Sequence, residues 1–374
     1  MRSRVRNAMP VAAAGLAGAL LLWLAMVVTV EPMPGGPGRH SDTPLPTGAP
    51  AGPPMLVGYV PYWDQNRGFA SVTRNVRMFD EVSPFWYAPD RNGDVVRADP
   101  AHTKIDTGTV RMLRERGIRV LPTVTNIGDD IPPDVVSDLL HDPATTRRHV
   151  RALLELAVSG GYDGIDLDYE SLRAGDRDAY SAFVRELARA LHGGGKLLSV
   201  AVHPKLSDAG YDERNQAQDF RAIGAVADEV RVMAYDYHWA ESPPGAVAPA
   251  GWVDEVIAWT VTQIPAAKVV LGAVLLGYDW VGRTGSTVDD RTALRLAAEH
   301  HAMVRRADDQ SPWFRYTDAD GHQHTVWWED ARSLTGKLAV AAKYRLGGVF
   351  LWRLGGEDRA VWAELRTWLG RPPK

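Results

Sequence analysis

The densest chemistry in the chain lies in Tyr162-Asp163-Gly164-Ile165-Asp166-Leu167-Asp168-Tyr169-Glu170. Side chains alternate along an extended strand, so Asp166, Asp168 and Glu170 share one face while Ile165, Leu167 and Tyr169 share the other. At a rise of roughly 3.3 Å per residue, successive acids stand about 6.6 Å apart. Carboxylates buried side by side raise one another's proton affinity unless they are paired or share protons. The result is an acid that is still protonated near neutral pH, which is what a general acid needs in order to release a leaving-group oxygen. A solvated strand edge leaves the purely apolar opposite face unexplained. A hard-cation cage needs further oxygen ligands that one strand cannot supply.

A strand with acids on one face and apolar groups on the other needs a scaffold that buries both. The chain has 374 residues, 45% of them hydrophobic, enough for a large core. Short apolar runs alternate with helix-like segments, the pattern of a parallel sheet covered by helices. Eight strands are expected: Leu56–Pro61, Glu81–Trp86, Arg119–Thr125, Gly164–Glu170, Leu197–Val202, Glu229–Tyr235, Val269–Leu276 and Gly348–Trp352. Helices are expected over Thr107–Arg116, Ala144–Ser159, Arg177–Leu191, Trp252–Thr262 and Trp328–Tyr344. This predicts an α/β fold, a (β/α)8 TIM barrel over residues 55–370, with the acids pointing inward toward the carboxyl-terminal mouth. A doubly wound open sheet is the alternative, but no Gly-x-Gly-x-x-Gly turn follows the first strand. Between strands seven and eight, a helix pattern at Asp290–Arg305 and short runs at Trp313–Thr317 and His324–Trp328 predict a small α+β insertion over about 283–330.

The amino-terminal part differs from the rest. Arg2, Arg4 and Arg6 precede an uncharged run from Asn7 to Val30, and residues 31–54 form a Pro/Gly-rich linker. As a helix the run reaches about 36 Å, enough for a hydrocarbon core of roughly 30 Å. Thr29-Val30-Glu31-Pro32 offers no small-x-small cleavage site, which favours a membrane anchor over a cleaved signal peptide. Either way the barrel is expected outside the cytoplasm, anchored through residues 7–30 or secreted. A net charge of −4 argues against nucleic acid as a partner, and with no cysteine there is no disulfide or thiolate chemistry.

Asp163-Gly164-Ile165-Asp166-Leu167-Asp168-Tyr169-Glu170 resembles, position for position, the D-G-x-D-x-D-x-E signature of glycoside hydrolase family 18, the chitinase-like family. Met233-Ala234-Tyr235-Asp236 resembles the family's M-x-Y-D segment, and Gly347-Gly348-Val349-Phe350-Leu351-Trp352 its eighth strand. The resemblance covers Leu56 to about Leu369. It implies hydrolysis of a polysaccharide of β-1,4-linked N-acetylglucosamine, peptidoglycan or chitin, without a metal or organic cofactor. By the same resemblance Glu170 is the catalytic acid, Asp168 orients the substrate's acetamido nitrogen and Asp166 trades a proton with Asp168. The substrate's own acetamido oxygen is then the nucleophile, and the configuration is retained. Tyr235, Asp236 and Met233 would bind the sugar over Trp352, whose indole suits the apolar face of a pyranose, with Tyr59 as a first-strand subsite residue.

Ser242-Pro243-Pro244-Gly245-Ala246-Val247-Ala248-Pro249 and Val326-Trp327-Trp328-Glu329-Asp330 resemble the bacterial spore-germination and cell-wall branch. The S-x-G-G element of many chitinases is not visible near Thr123-Val124-Thr125-Asn126-Ile127-Gly128, and Leu276 stands where many have Tyr. These departures bear on the substrate more than on the chemistry. The alternative is a catalytically weak or inactive carbohydrate-binding protein on the same barrel. His203 and His238 end strands near the mouth, and His322-Gln323-His324 has the shape of a paired ligand on the insertion hairpin; no role is assigned to any of them.

Overall fold

The computed structural model describes residues 52–128 and 131–371. The apolar run and most of the linker lie outside the described residues. No described helix is long and apolar enough to cross a membrane.

Eight parallel strands close into a barrel: β1 (Met55–Pro61), β2 (Glu81–Pro89), β3 (Arg119–Val120 and Thr123–Thr125), β4 (Gly164–Asp168), β5 (Leu197–Val202), β6 (Glu229–Val232), β7 (Val269–Val274) and β8 (Gly348–Trp352). Each pairs with the next, and β8 returns to β1 with Val57 opposite Phe350. The expected alternation holds. Ile165 and Leu167 of β4 pack outward into the main core beneath the helices, whereas Val57, Tyr59, Phe85, Met233, Val270 and Phe350 fill a separate cluster inside the barrel. The helices start where the sequence supplies caps. Asp142 accepts from Ala144 N and Thr145 N ahead of Pro143–Ser159, and Asp106 caps Thr107–Glu115 in the same way.

Several elements end elsewhere than expected: β2 runs on to Pro89 rather than stopping at Trp86, the insertion helix ends at Glu299 rather than Arg305, and four further strands and one helix differ for a physical reason. β3 is broken at Leu121–Pro122, where proline lacks the N–H that a ladder requires. β4 ends at Asp168 rather than Glu170, because the Glu170 N–H donates to the Asn126 side chain instead of to a neighbouring strand. β6 ends at Val232 rather than Tyr235. Beyond it the chain turns tightly, with Ala234 N donating to Val232 O and Tyr235 N to Met233 O. β7 stops at Val274 instead of Leu276, where the chain leaves for the insertion. The helix expected from Trp328 begins at Ala331, because Asp330 forms a capping box with Ser333 and Trp328 ends a strand.

The insertion is larger than the expected helix and hairpin. It is a five-stranded antiparallel sheet of Thr284–Val288, Gly277–Val281, Gln323–Trp328, Pro312–Thr317 and Arg305–Arg306, in that order, with helix Asp290–Glu299 against one face. It therefore starts at Gly277, a position that only glycine can fill, since a Cβ there would stand 2.0 Å from Trp327 O.

Candidate active site

The two acids of β4 and Glu170 just beyond it are held differently. Asp166 is fully buried, and its Oδ2 accepts from Tyr59 Oη and Thr123 Oγ1, both at 2.8 Å. Its Oδ1 lies 3.2 Å from Arg231 Nη1. Burial nonetheless pushes its carboxyl up to about 6, against those hydrogen bonds. Asp168 is 5% exposed, and its Oδ1 has no hydrogen-bond donor among the described residues. Burial, and then the charges of Glu170 and Asp166, hold it well above the usual carboxylate range.

Glu170 stands at the mouth, where 21% of its side chain remains open. Asn126 fixes the backbone there: its Oδ1 accepts from Glu170 N at 2.8 Å and Ser171 N at 3.2 Å, and its Nδ2 donates to Ser171 O at 2.9 Å. Burial raises the Glu170 carboxyl to about 7, with Arg214 opposing and Asp236 adding to the shift. His203 Nε2 is 3.7 Å from Glu170 Oε2, and burial lowers this imidazole to about 4, so it is neutral beside the acid.

Across the mouth, Asp236 follows β6 in a left-handed conformation with φ of 58°. Strain of this kind persists where the surroundings over-determine it. Its Oδ1 accepts from Tyr278 Oη at 2.8 Å, at the start of the insertion sheet, and burial raises it to about 6. Tyr235 packs edge-on against Phe350, and burial followed by the Glu170 and Asp168 charges raises its phenol. Trp352, half-buried at the end of β8, meets Tyr59 at 5.7 Å, Phe85 at 5.5 Å and Trp63 at 6.3 Å between ring centres. Trp63, Tyr211, Tyr237 and Trp239 leave 44%, 47%, 47% and 37% of their surface exposed, a set of large apolar faces left to solvent.

The barrel thus brings together all eight residues singled out in the sequence, and it changes the reading of two. Tyr59 is only 3% exposed, and its hydroxyl is committed to Asp166, so it supports the acid chain from below rather than lining a subsite. Met233 spends its surface on the barrel interior beside Tyr59 and Phe85. Sequence reasoning did not single out Asn126, His203 in contact with Glu170, or the ion cluster beneath Asp166. There Arg231 pairs with Glu81 and with Glu229 (3.1 Å), and Arg119 reaches Glu81 (3.1 Å) and Glu229 (2.9 Å).

Comparison with known sequences agrees with this geometry. The profile of glycosyl hydrolases family 18 matches residues 55–357. The chain belongs to that family. It is 34% identical over 282 residues to the cortical fragment-lytic enzyme of Bacillus subtilis, which covers 73% of this chain. It spans 64% and 65% of the lengths of the two Bacillus subtilis relatives found at that identity. Among solved structures, a chitinase from Chromobacterium violaceum is 31% identical with a TM-score of 0.78, covering 85% of this chain and 100% of that one. The spore cortex-lytic enzyme SleL of Bacillus megaterium is 26% identical with a TM-score of 0.75, covering 84% and 73%. As a family 18 barrel, the chain carries Asp166 and Asp168 buried on β4 and Glu170 just beyond its end.

Proposed function

We propose that this protein is a retaining glycosidase that hydrolyses β-1,4-linked N-acetylglucosamine polymers of the cell wall, peptidoglycan or chitin, by substrate-assisted catalysis. The observation that carries the reading is the placement of Glu170, at the mouth with 21% of its side chain open, beyond the buried Asp166 and Asp168. The Glu170 carboxyl sits beside a neutral histidine and is raised to about 7, so it holds its proton at the pH where it must donate it.

With a glycan across the mouth, Glu170 gives its proton to the glycosidic oxygen as that bond to the anomeric carbon breaks. The substrate's acetamido oxygen forms the new bond to the same carbon, giving a cyclic oxazolinium ion. The positive charge developing on the acetamido nitrogen faces Asp168, whose Oδ1 has no other donor among the described residues. Glu170, now a carboxylate, takes a proton from the incoming water, whose oxygen opens the ring from the face the leaving group vacated, so configuration is retained. Tyr235 and Asp236 hold the acetamido side of the sugar, and Trp352 carries its apolar face.

The names of the relatives, cortical fragment-lytic and spore cortex-lytic, favour peptidoglycan, and the chitinase favours chitin. We further propose that residues 7–30 anchor the protein so that the barrel faces the cell wall. Incubating the protein and its Glu170→Gln variant with purified peptidoglycan and with chitin oligomers, and measuring released reducing ends, tests the reading. Release from one polymer by the wild type alone supports it. Binding without release by both proteins favours a carbohydrate-binding role instead.

A further inference from the structure

The floor of the barrel, below the acids, is built around one guanidinium. Arg231 on β6 is fully buried. Its Nη1 donates to Ser83 Oγ at 2.6 Å and to Tyr59 Oη at 3.0 Å and lies 3.2 Å from Asp166 Oδ1, while its Nη2 meets Glu81 and Glu229. Because Tyr59 Oη accepts from Arg231, the phenol's own proton is free to point at Asp166 Oδ2, 2.8 Å away. Thr123 adds a second hydroxyl donor to the same oxygen.

The partners seen at Asp166 on β1, β3 and β6 are therefore donors or a cation. The other titratable groups near it are Asp168 on its own strand, Glu81 and Glu229 beyond the guanidinium, Arg119 beneath those, and Tyr180 from helix Arg177–Gly193. β7 and β8 turn the apolar Val270 and Phe350 inward.

We propose that Arg231 is a positioning residue for the reaction, holding Asp166 as a carboxylate so that the Asp166–Asp168 pair carries one proton rather than two. Burial drives both aspartates toward the neutral form, by up to several pH units for enclosed carboxyls, whereas a cation in contact draws one back by about 1–3 units. A doubly protonated pair has no negative charge to set against the acetamido nitrogen, and a pair with one proton keeps it. With two hydroxyl donors on its Oδ2 and the guanidinium 3.2 Å from its Oδ1, Asp166 is the member left charged, and the shared proton rests on Asp168, whose Oδ1 stays open to accept the acetamido N–H while its proton faces Asp166. The inference rests on the proposed reaction for its catalytic consequence, but the ionisation of Asp166 is measurable without it.

Arg231→Gln alone leaves two buried glutamates to Arg119, so the informative variant is Arg231→Gln with Glu229→Gln, which keeps Glu81 paired with Arg119. Arg231→Lys, which offers one nitrogen where the guanidinium serves five groups, is its milder companion. Thermal melts identify the variants that fold. The pH dependence of kcat/KM on N-acetylglucosamine oligomers is then measured for the full-length proteins, with a carbon-13 titration of the aspartate carboxyls. The Asp166 signal is assigned by its loss in Asp166→Asn. Removing the cation is expected to move the acid limb and the Asp166 titration upward by about 1–3 pH units, and the lysine variant is expected to move both in the same direction by less. A rate that falls equally at every pH, with Asp166 titrating where it does in the wild type, would overturn the proposal. If the wild type cleaves no glycan, the proposed function fails, and the carboxyl titration alone decides the role of Arg231.

Discussion

Asn126 Oδ1 accepts the backbone N–H of Glu170 at 2.8 Å, a side chain of the loop after β3 ending the strand that carries the acids. By taking the proton donor that would otherwise continue the ladder, it turns the backbone at Glu170 and sets that side chain at the mouth. Asn126→Ala leaves two backbone donors and one carbonyl without this partner. We expect kcat to fall about 10–100-fold with a smaller change in KM, as for a misplaced catalytic group, and stability to fall by about 1–3 kcal/mol. Steady-state kinetics and urea melts check both.

The pH profile follows from the raised carboxyls. Glu170, raised to about 7, is protonated below that pH, and as the proposed acid it loses its function above it. Asp166 and Asp236, each raised to about 6, lose their charge below that pH. Activity is expected to form a narrow bell between about 6 and 7, measured as kcat/KM against pH. A flat profile from 5 to 9 is incompatible with these assignments.

The same shift predicts a stability effect of opposite sign to the catalytic one. An acid whose folded pKa lies above its unfolded value binds its proton more tightly in the native state, so its cost to stability grows as pH rises from the unfolded value to about 7. Glu170→Gln removes that cost. The variant is expected to melt higher than the wild type at pH 8 and at about the same temperature at pH 4, by calorimetry across that range.

Away from the acids, Lys337 Nζ meets Glu329 Oε2 at 2.7 Å with both side chains almost wholly buried, and Glu329 Oε1 also accepts from Ala248 N. This pair ties the loop after β6 to the end of the insertion. Lys337→Met strands the carboxylate, and a loss of about 3–5 kcal/mol is expected in chemical denaturation. Lys337→Met with Glu329→Gln is expected to recover much of it.

How far the sequence foretold this site depended on whether a residue's role is local. The alternation of Ile165, Asp166, Leu167 and Asp168 is a property of one strand, so it placed the acids inside before any partner was known. The same alternation was present in Glu229, Arg231, Met233 and Tyr235, yet charged residues inside a barrel read as improbable until their partners on β2 and β3 are seen. Asn126 carries no local signal at all, because its hydrogen bonds cross 44 and 45 residues of chain. The strands Gly277–Val281 and Thr284–Val288 were missed for a related reason. Thr284–Val288 is rich in Gly, Ser and Thr, Gly277–Val281 is a five-residue run interrupted by Asp279, and both are strands because they pair with each other and, on one side, with Gln323–Trp328.

The central claim is that the attacking oxygen belongs to the substrate. Its most direct test compares hydrolysis of matched glucosamine oligomers that differ only in whether the sugar seated on Trp352 is N-acetylated, with the anomeric configuration of the fresh product followed by proton NMR. The account predicts rapid cleavage of the acetylated oligomer with a β-configured product, and binding with little turnover of the deacetylated one. Equal rates on the two oligomers, or an α-configured first product, would contradict it and require a second catalytic carboxylate at the mouth.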